Sequence, residues 1–225
     1  MENIFKKIQS VAEKELSHSA HDMDHVMRVY ALALRLAKHQ KVKVDTDILK
    51  AAVLLHDIAR IKEDTDQTGK TDHAVLGARL CAPILKKVGF PVGKIKRVQE
   101  CILSHRHRTE NEPKTIEAKI LFDADKLDGI GAIGIARLFV WVGGHDTKIY
   151  RDVDLDTYIA ENMGGKMNGR IQNKTKHSPQ IEYKTKLIFT VNRLYTAQAK
   201  KIGKERLAYL DSFMKRLERE VKDEL

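Results

Sequence analysis

The stretch AAVLLHDIAR, residues 51–60, sets a histidine and an aspartate side by side in an apolar run. A run of this composition is buried. A carboxylate carried into a dry core costs several kcal/mol unless something offsets its charge. His56 and Asp57 therefore need a partner, and the surrounding sequence is where to look for it.

On both sides the apolar spacing is helical. DTDILKAAVLLHDIARIK (45–62) puts Leu49, Ala52, His56 and Ala59 on one stripe, after an Asp/Thr-rich start suited to capping a helix. DMDHVMRVYALALRLAKHQ (22–40) lines up Val29, Leu32 and Leu36, and His25 extends that face toward the N-terminus. DHAVLGARLCAPILKKVG (72–89) runs His73, Leu76, Leu80 and Ile84, with Pro83 placed to kink or split it and Gly89 to end it. VGKIKRVQECILSHRHR (92–108) runs Ile95, Val98, Ile102 and His105, and TIEAKILFDADKLDGIG (115–131) runs Ala118, Leu121, Asp125 and Asp128. Two more helical stretches follow, around residues 187–199 and 207–221, and strand alternation is missing throughout. The predicted class is all-α. The segment from about 143 to 181, rich in Gly, Asn, Lys and Thr, reads as a long irregular loop, either a cover over a site or a mobile surface segment.

His25, His56, Asp57, His73, His105 and Asp125 thus recur at the buried edges of five successive helical patterns. One such histidine is ordinary core. Several, converging with carboxylates, make a divalent-metal site, and the mixed N/O donors suit manganese, magnesium, cobalt, iron, nickel or zinc. The partner that makes Asp57 tolerable is then a metal cation. Asp123 lies about 200° around the helix from Asp125 and should not share its ion, whereas Asp128 is one turn on and can position water. Arg28 and Arg60 each sit three residues past a proposed ligand, where a guanidinium can meet phosphate or brace the ligand carboxylates. Lys126 and Arg137, and further off Lys186 and Arg193, are additional phosphate candidates. Ser19 or Asp22 reads as cap material. The other HD doublets, His21–Asp22 and His145–Asp146, lack a helical stripe to support a metal role.

Three segments, HDMDHVMRV (21–29), LLHDIAR (54–60) and DADKLDGIGAIGIAR (123–137), give the order H…HD…D, which resembles the HD-domain phosphohydrolase superfamily. The C-terminal stretch KLIFTVNRLYTAQAKKIGKERLAYLDSFMKRLERE (186–220) is similar to that of small stand-alone bacterial and archaeal members, some of which cleave nucleoside triphosphates to a monophosphate and pyrophosphate. The resemblance implies metal ligation by His25, His56, Asp57 and Asp125. It leaves two roles for His73 and His105: contacts to substrate phosphate, the preferred version, or ligands of a second metal that shares Asp57. It implies a single HD domain with a core over about 17–142, a flexible loop over about 143–181 and C-terminal helices over about 182–225. Asp57 and Asp128 are the expected catalytic carboxylates, with His73, His105, Arg28, Arg60 and Lys126 facing phosphate.

The expected reaction is metal-assisted hydrolysis of a phosphorylated small molecule, a nucleotide above all. A binuclear cyclic-nucleotide or other phosphodiesterase and a degenerate HD module that only binds a ligand or nucleic acid are the alternatives. No P-loop, GxSxG or cysteine–histidine nucleophile pattern is present. The formal charge of +10 comes from lysines spread along the chain, and with six Phe and one Trp no nucleic-acid-binding motif stands out. Cys81 and Cys101 read as buried thiols. No apolar stretch reaches the ~18 residues of a membrane span, and the amphipathic start does not read as a signal peptide. The terminal KDEL reads as the end of a charged helix, so the expectation is a cytoplasmic protein, without a membrane partner, that can form a homodimer.

Overall fold

Three aspartates set where the site-bearing helices begin. Asp22 accepts from the backbone N–H of His25 (3.0 Å) and opens α2 (Met23–Ala37). Asp45 accepts from Asp47 and Ile48 and opens α3 (Thr46–Leu55). Asp72 accepts from Ala74 and Val75 and opens α5 (His73–Lys87). Each cap satisfies helix-end donors that would otherwise be orphaned, so the caps place His25 and His73 in the first turns of their helices.

These helices belong to a computed structural model that describes residues 1–16, 22–106 and 111–225. Ser19, His21, His107 and Arg108 lie outside the described residues. Among those described the fold is all-α, with no strand. It divides into two compact units, Met1–Asp125 and Lys126–Leu225.

The first unit holds α1 (Glu2–Glu15), α2, α3, the short α4 (Arg60–Thr65), α5, α6 (Val92–Leu103) and most of α7 (Ile116–Asp128). Its core gathers the predicted stripes: Val29, Leu36, Leu49, Ala52, Val98, Ile102 and Leu121 are all fully buried. Pro83 lies inside α5 without splitting it. Gly89, at φ +80°, closes that helix as expected. Its N–H reaches Lys86 and that of Phe90 reaches Leu85, so the last carbonyls are satisfied while Phe90 and Leu85 are buried together. Cys81 and Cys101 are free and buried, and burial pushes both thiols up to about 12.

One expectation needs correction at the decisive stretch. The helix through residues 45–62 breaks: α3 ends at Leu55, residues 56–59 form a turn, and α4 starts at Arg60. His56 Nδ1 bonds the Val53 carbonyl at 2.7 Å, while Asp57 turns its own carbonyl to the N–H of Arg60 at 2.8 Å. A continuous helix would swing adjacent side chains apart by about 100°. Leaving the helix here frees His56 and Asp57 to face the same point.

The second unit contains α8 (Gly131–Gly144), α9 (Leu155–Asn162), α10 (Pro179–Thr185), the single turn α11 (Thr190–Arg193) and α12 (Ala197–Val221). The predicted helix over 187–199 is replaced by short turns, and the final helix begins earlier than expected, capped by Thr196. The segment 143–181 is not a structureless loop either. Tyr158, Ile159, Met163 and Ile181 form a small core. Above it His177 is buried, accepting from the Tyr158 hydroxyl (2.8 Å) and donating to Glu182 (3.1 Å), with the Trp141 ring edge-on at 5.4 Å. Period counting missed α9 because the helix is only eight residues long, although Leu155, Tyr158 and Ile159 follow a helical spacing. Among the described residues no single helix is long and apolar enough to cross a membrane.

Candidate metal centre

Six side chains meet in the first unit. His25 comes from the first turn of α2, His56 and Asp57 from the turn after α3, and His73 from the start of α5. His105 lies just past α6 and Asp125 near the end of α7. All but Asp125, whose side chain is 14% exposed, are buried.

Their ligand atoms fall into two groups, each close enough to hold one ion: His25, His56 and Asp125, and Asp57, His73 and His105. Asp57 lies between them. Its Oδ2 is 3.7 Å from His25 Nε2 and 3.6 Å from His56 Nε2. Its Oδ1 is 3.4 Å from His73 Nε2 and 3.6 Å from His105 Nε2. Asp125 Oδ1 lies 3.5 Å from His25 Nε2. Asp123 is fully buried but belongs to neither group, in line with its expected direction.

The ring nitrogens show what such a cluster requires. His56 Nδ1 faces the Val53 carbonyl, His105 Nδ1 the Ile102 carbonyl at 2.5 Å, and His73 Nδ1 the carboxylate of Glu63. All three partners are acceptors, so on this hydrogen-bond assignment all three Nδ1 atoms carry the proton. In the neutral rings Nε2 is then a bare lone pair. His73 Nε2 and His105 Nε2 stand 3.1 Å apart, and His56 Nε2 and His25 Nε2 3.4 Å apart. Two lone pairs at 3.1 Å, both beside a carboxylate oxygen, repel unless a cation lies among them. Protonating the rings is not the remedy: burial pushes His56 down to about 4, although Asp57 and Asp125 pull the other way, and burial lowers His73 too. The residues fit divalent metal.

The same tautomers bear on the expected phosphate contacts. A phosphate oxygen is an acceptor, and a ring whose only N–H is spent on Glu63 or on Ile102 has nothing left to donate. On this assignment His73 and His105 present lone pairs, not N–H donors, to the cluster. Arg60, 25% exposed at its side chain, keeps a place beside the cluster. It starts α4 rather than sharing a helix with Asp57, and Asp64 holds its Nε at 3.3 Å. Its Nη1 lies 3.4 Å from His73 Nδ1. Both atoms are donors and Glu63 is far closer to the ring, so that contact is proximity and not a hydrogen bond. Arg28 sits half-buried one turn after His25.

The second unit contains Lys126, Asp128, Arg137, Lys186 and Arg193. Asp128 is buried and accepts from Arg137 Nη1 at 3.0 Å; it belongs to neither ligand group. Lys186 pairs with Glu182. Two surface hollows of about 420 and 340 Å³, lined by residues of α1–α3 and the segment after α2, include none of the six converging residues.

Sequence reasoning missed Glu63. It lies in the polar run KEDTD (62–66), where nothing separates it from a solvated carboxylate. It is nevertheless only 7% exposed. Arg106 reaches it at 2.7 Å and spends its other terminal nitrogen on Asp72 at 2.6 Å.

Residues 23–130 match the family model of the HD domain. Bacillus subtilis YpgQ, an uncharacterized protein, is 28% identical over 226 residues, spanning 98% of this chain and 93% of YpgQ. The crystal structure of YpgQ in complex with ADP is similar at a TM-score of 0.70 and 24% identity, covering 96% of this chain and 94% of that one. A Lactobacillus plantarum structure reaches a TM-score of 0.76 at 23% identity over 99% of both chains. A predicted HD superfamily hydrolase from an uncultured Thermotogales bacterium is 26% identical with a TM-score of 0.59, over 98% of this chain and 92% of that one.

Proposed function

We propose that this chain, an HD-domain protein over residues 23–130, is a metal-dependent phosphohydrolase acting on nucleotides. The observation that carries the reading is the division of Asp57, with one oxygen toward each imidazole pair. A carboxylate so divided suits two divalent ions, one held by His25, His56, Asp57 and Asp125 and the other by Asp57, His73 and His105. Bound there, such ions supply a Lewis acid for phosphoryl oxygens and lower the pKa of a water toward neutrality.

The chain's own residues do the rest. Asp57 and Asp125 accept hydrogen bonds from the attacking water and orient it. Arg60 offsets charge that develops on the phosphoryl oxygens. His56 and His73, whose burial lowers their pKa, stay neutral and keep their lone pairs inward. Nucleotide as the substrate class is supported by the ADP complex of YpgQ, a relative similar over nearly its whole length. Cleavage of a nucleoside triphosphate to monophosphate and pyrophosphate is the reaction proposed. A second reading, a cyclic-nucleotide or other phosphodiesterase, is favoured by the same division of Asp57, because a second ion held by Asp57, His73 and His105 would add a second Lewis acid for a phosphodiester.

The test is turnover by metal-stripped protein with manganese, magnesium, cobalt, nickel, iron or zinc restored, against nucleoside tri-, di- and monophosphates and cyclic nucleotides, with products identified. Pyrophosphate release that vanishes with chelator is expected. Turnover confined to diesters selects the second reading. A protein inert on every substrate with both sites loaded refutes catalysis.

A further inference from the structure

Glu63 is buried, belongs to neither ligand group, and bonds directly to one of the ligands, His73. A single oxygen, Oε2, takes both the ring Nδ1 of His73 and its backbone N–H, the latter at 3.1 Å. The other oxygen is held by Arg106. Arg106 in turn holds Asp72, whose second oxygen caps α5 at the residues just after His73. Ring, backbone and helix start of this one histidine are thereby fixed by one chain of charged contacts. His56 and His105 have only backbone carbonyls at the corresponding nitrogen.

The difference has a chemical consequence. A carboxylate behind an imidazole fixes its tautomer and makes the far nitrogen a stronger donor than a carbonyl does. The group of Asp57, His73 and His105 has one carboxylate, and it is shared; the other group has Asp125 besides. Glu63 adds the negative charge that the first of these groups lacks. We propose that Glu63, locked by Arg106, is a positioning residue that sets the affinity of the Asp57–His73–His105 site for its metal, leaving the His25–His56–Asp125 site untouched. This rests on the two-ion reading above.

The experiment is manganese titration of metal-stripped wild-type protein and Glu63→Gln by calorimetry and elemental analysis, with ring nitrogen NMR of histidine-labelled wild type. Glu63→Gln keeps the shape and removes the charge. Its affinity at one of two sites is expected to fall roughly 10–100-fold, with the other unchanged. The wild-type spectrum should show His73 protonated at Nδ1, with a proton far downfield. A folded Glu63→Gln with wild-type affinity at both sites overturns the proposal. So does a wild-type His73 protonated at Nε2, a result that stands even if the variant does not fold. A wild type that binds one ion only, unaltered in His73→Ala, sinks the two-ion reading itself and is thereby told apart from failure of Glu63 alone.

Discussion

Replacing Asp57 by asparagine should change stability in opposite directions with and without metal. In the metal-free protein the carboxylate is 5% exposed at its side chain and has four Nε2 atoms at 3.4–3.7 Å. The hydrogen-bond assignment makes three of these lone pairs, and lone pairs beside a carboxylate repel. An amide removes the charge and gives those lone pairs an N–H to accept. Relief of several kcal/mol of desolvation, less what nearby Arg60 returns, leaves roughly 1–3 kcal/mol of added stability. At about 2–4 °C per kcal/mol for a chain of this size, the metal-free melting midpoint should rise by roughly 2–12 °C. Metal reverses the order. Each ion at a thousand times its dissociation constant stabilises the wild type by about 4 kcal/mol, and the variant should lose most of that at both sites. The assay is a thermal melt of both proteins in chelator and in excess manganese, with metal counted by elemental analysis. A metal-free variant that melts below wild type refutes the electrostatic argument. A variant that manganese stabilises as fully as wild type refutes the shared-ligand role.

His73→Ala and His105→Ala should each lose the same one metal equivalent, and the double variant no more, because either change already empties the site; additive losses on elemental analysis would contradict this. Asp125→Ala should lose the other equivalent while Asp123→Ala keeps both, and the reverse pattern would reassign the ligand. His56 is pushed down to about 4 in the fold, against 6.5 for the ordinary side chain. Between those values the unfolded chain takes a proton that the folded chain refuses, so metal-free stability should fall by roughly 3 kcal/mol as pH drops from 6.5 to 4, with no slope from this group above 6.5. His73 is lowered in the same direction and steepens the fall; a flat calorimetric profile over that window would exclude both. In the second unit, a Cβ on Gly134 would stand 2.4 Å from the Gly129 carbonyl oxygen. Gly134→Ala should therefore lose roughly 1–3 kcal/mol in chemical denaturation, and an unchanged midpoint would show that the turn yields freely.

The order H…HD…D and the helical stripes were legible in the chain because burial follows a period of 3.6 residues, and a polar residue on a buried stripe stands out. His25, His56, Asp57, His73, His105 and Asp125 all announced themselves that way. The choice of Asp125 over Asp123 followed from a helical angle, together with its match to the family motif. What the chain alone left open was which nitrogen of each imidazole faces inward. That depends on the acceptors behind the rings, two of them backbone carbonyls and one Glu63, ten residues from the histidine it holds. The tertiary structure supplies those acceptors, and the proposal that His73 and His105 are ligands, where the sequence favoured phosphate contacts, rests on them. It also decided the break after Leu55, since a local period cannot register a helix that ends to let two adjacent side chains converge. Glu63 was invisible for the same reason: its partners His73 and Arg106 stand ten and forty-three residues away, and no local pattern carries contacts made across such distances.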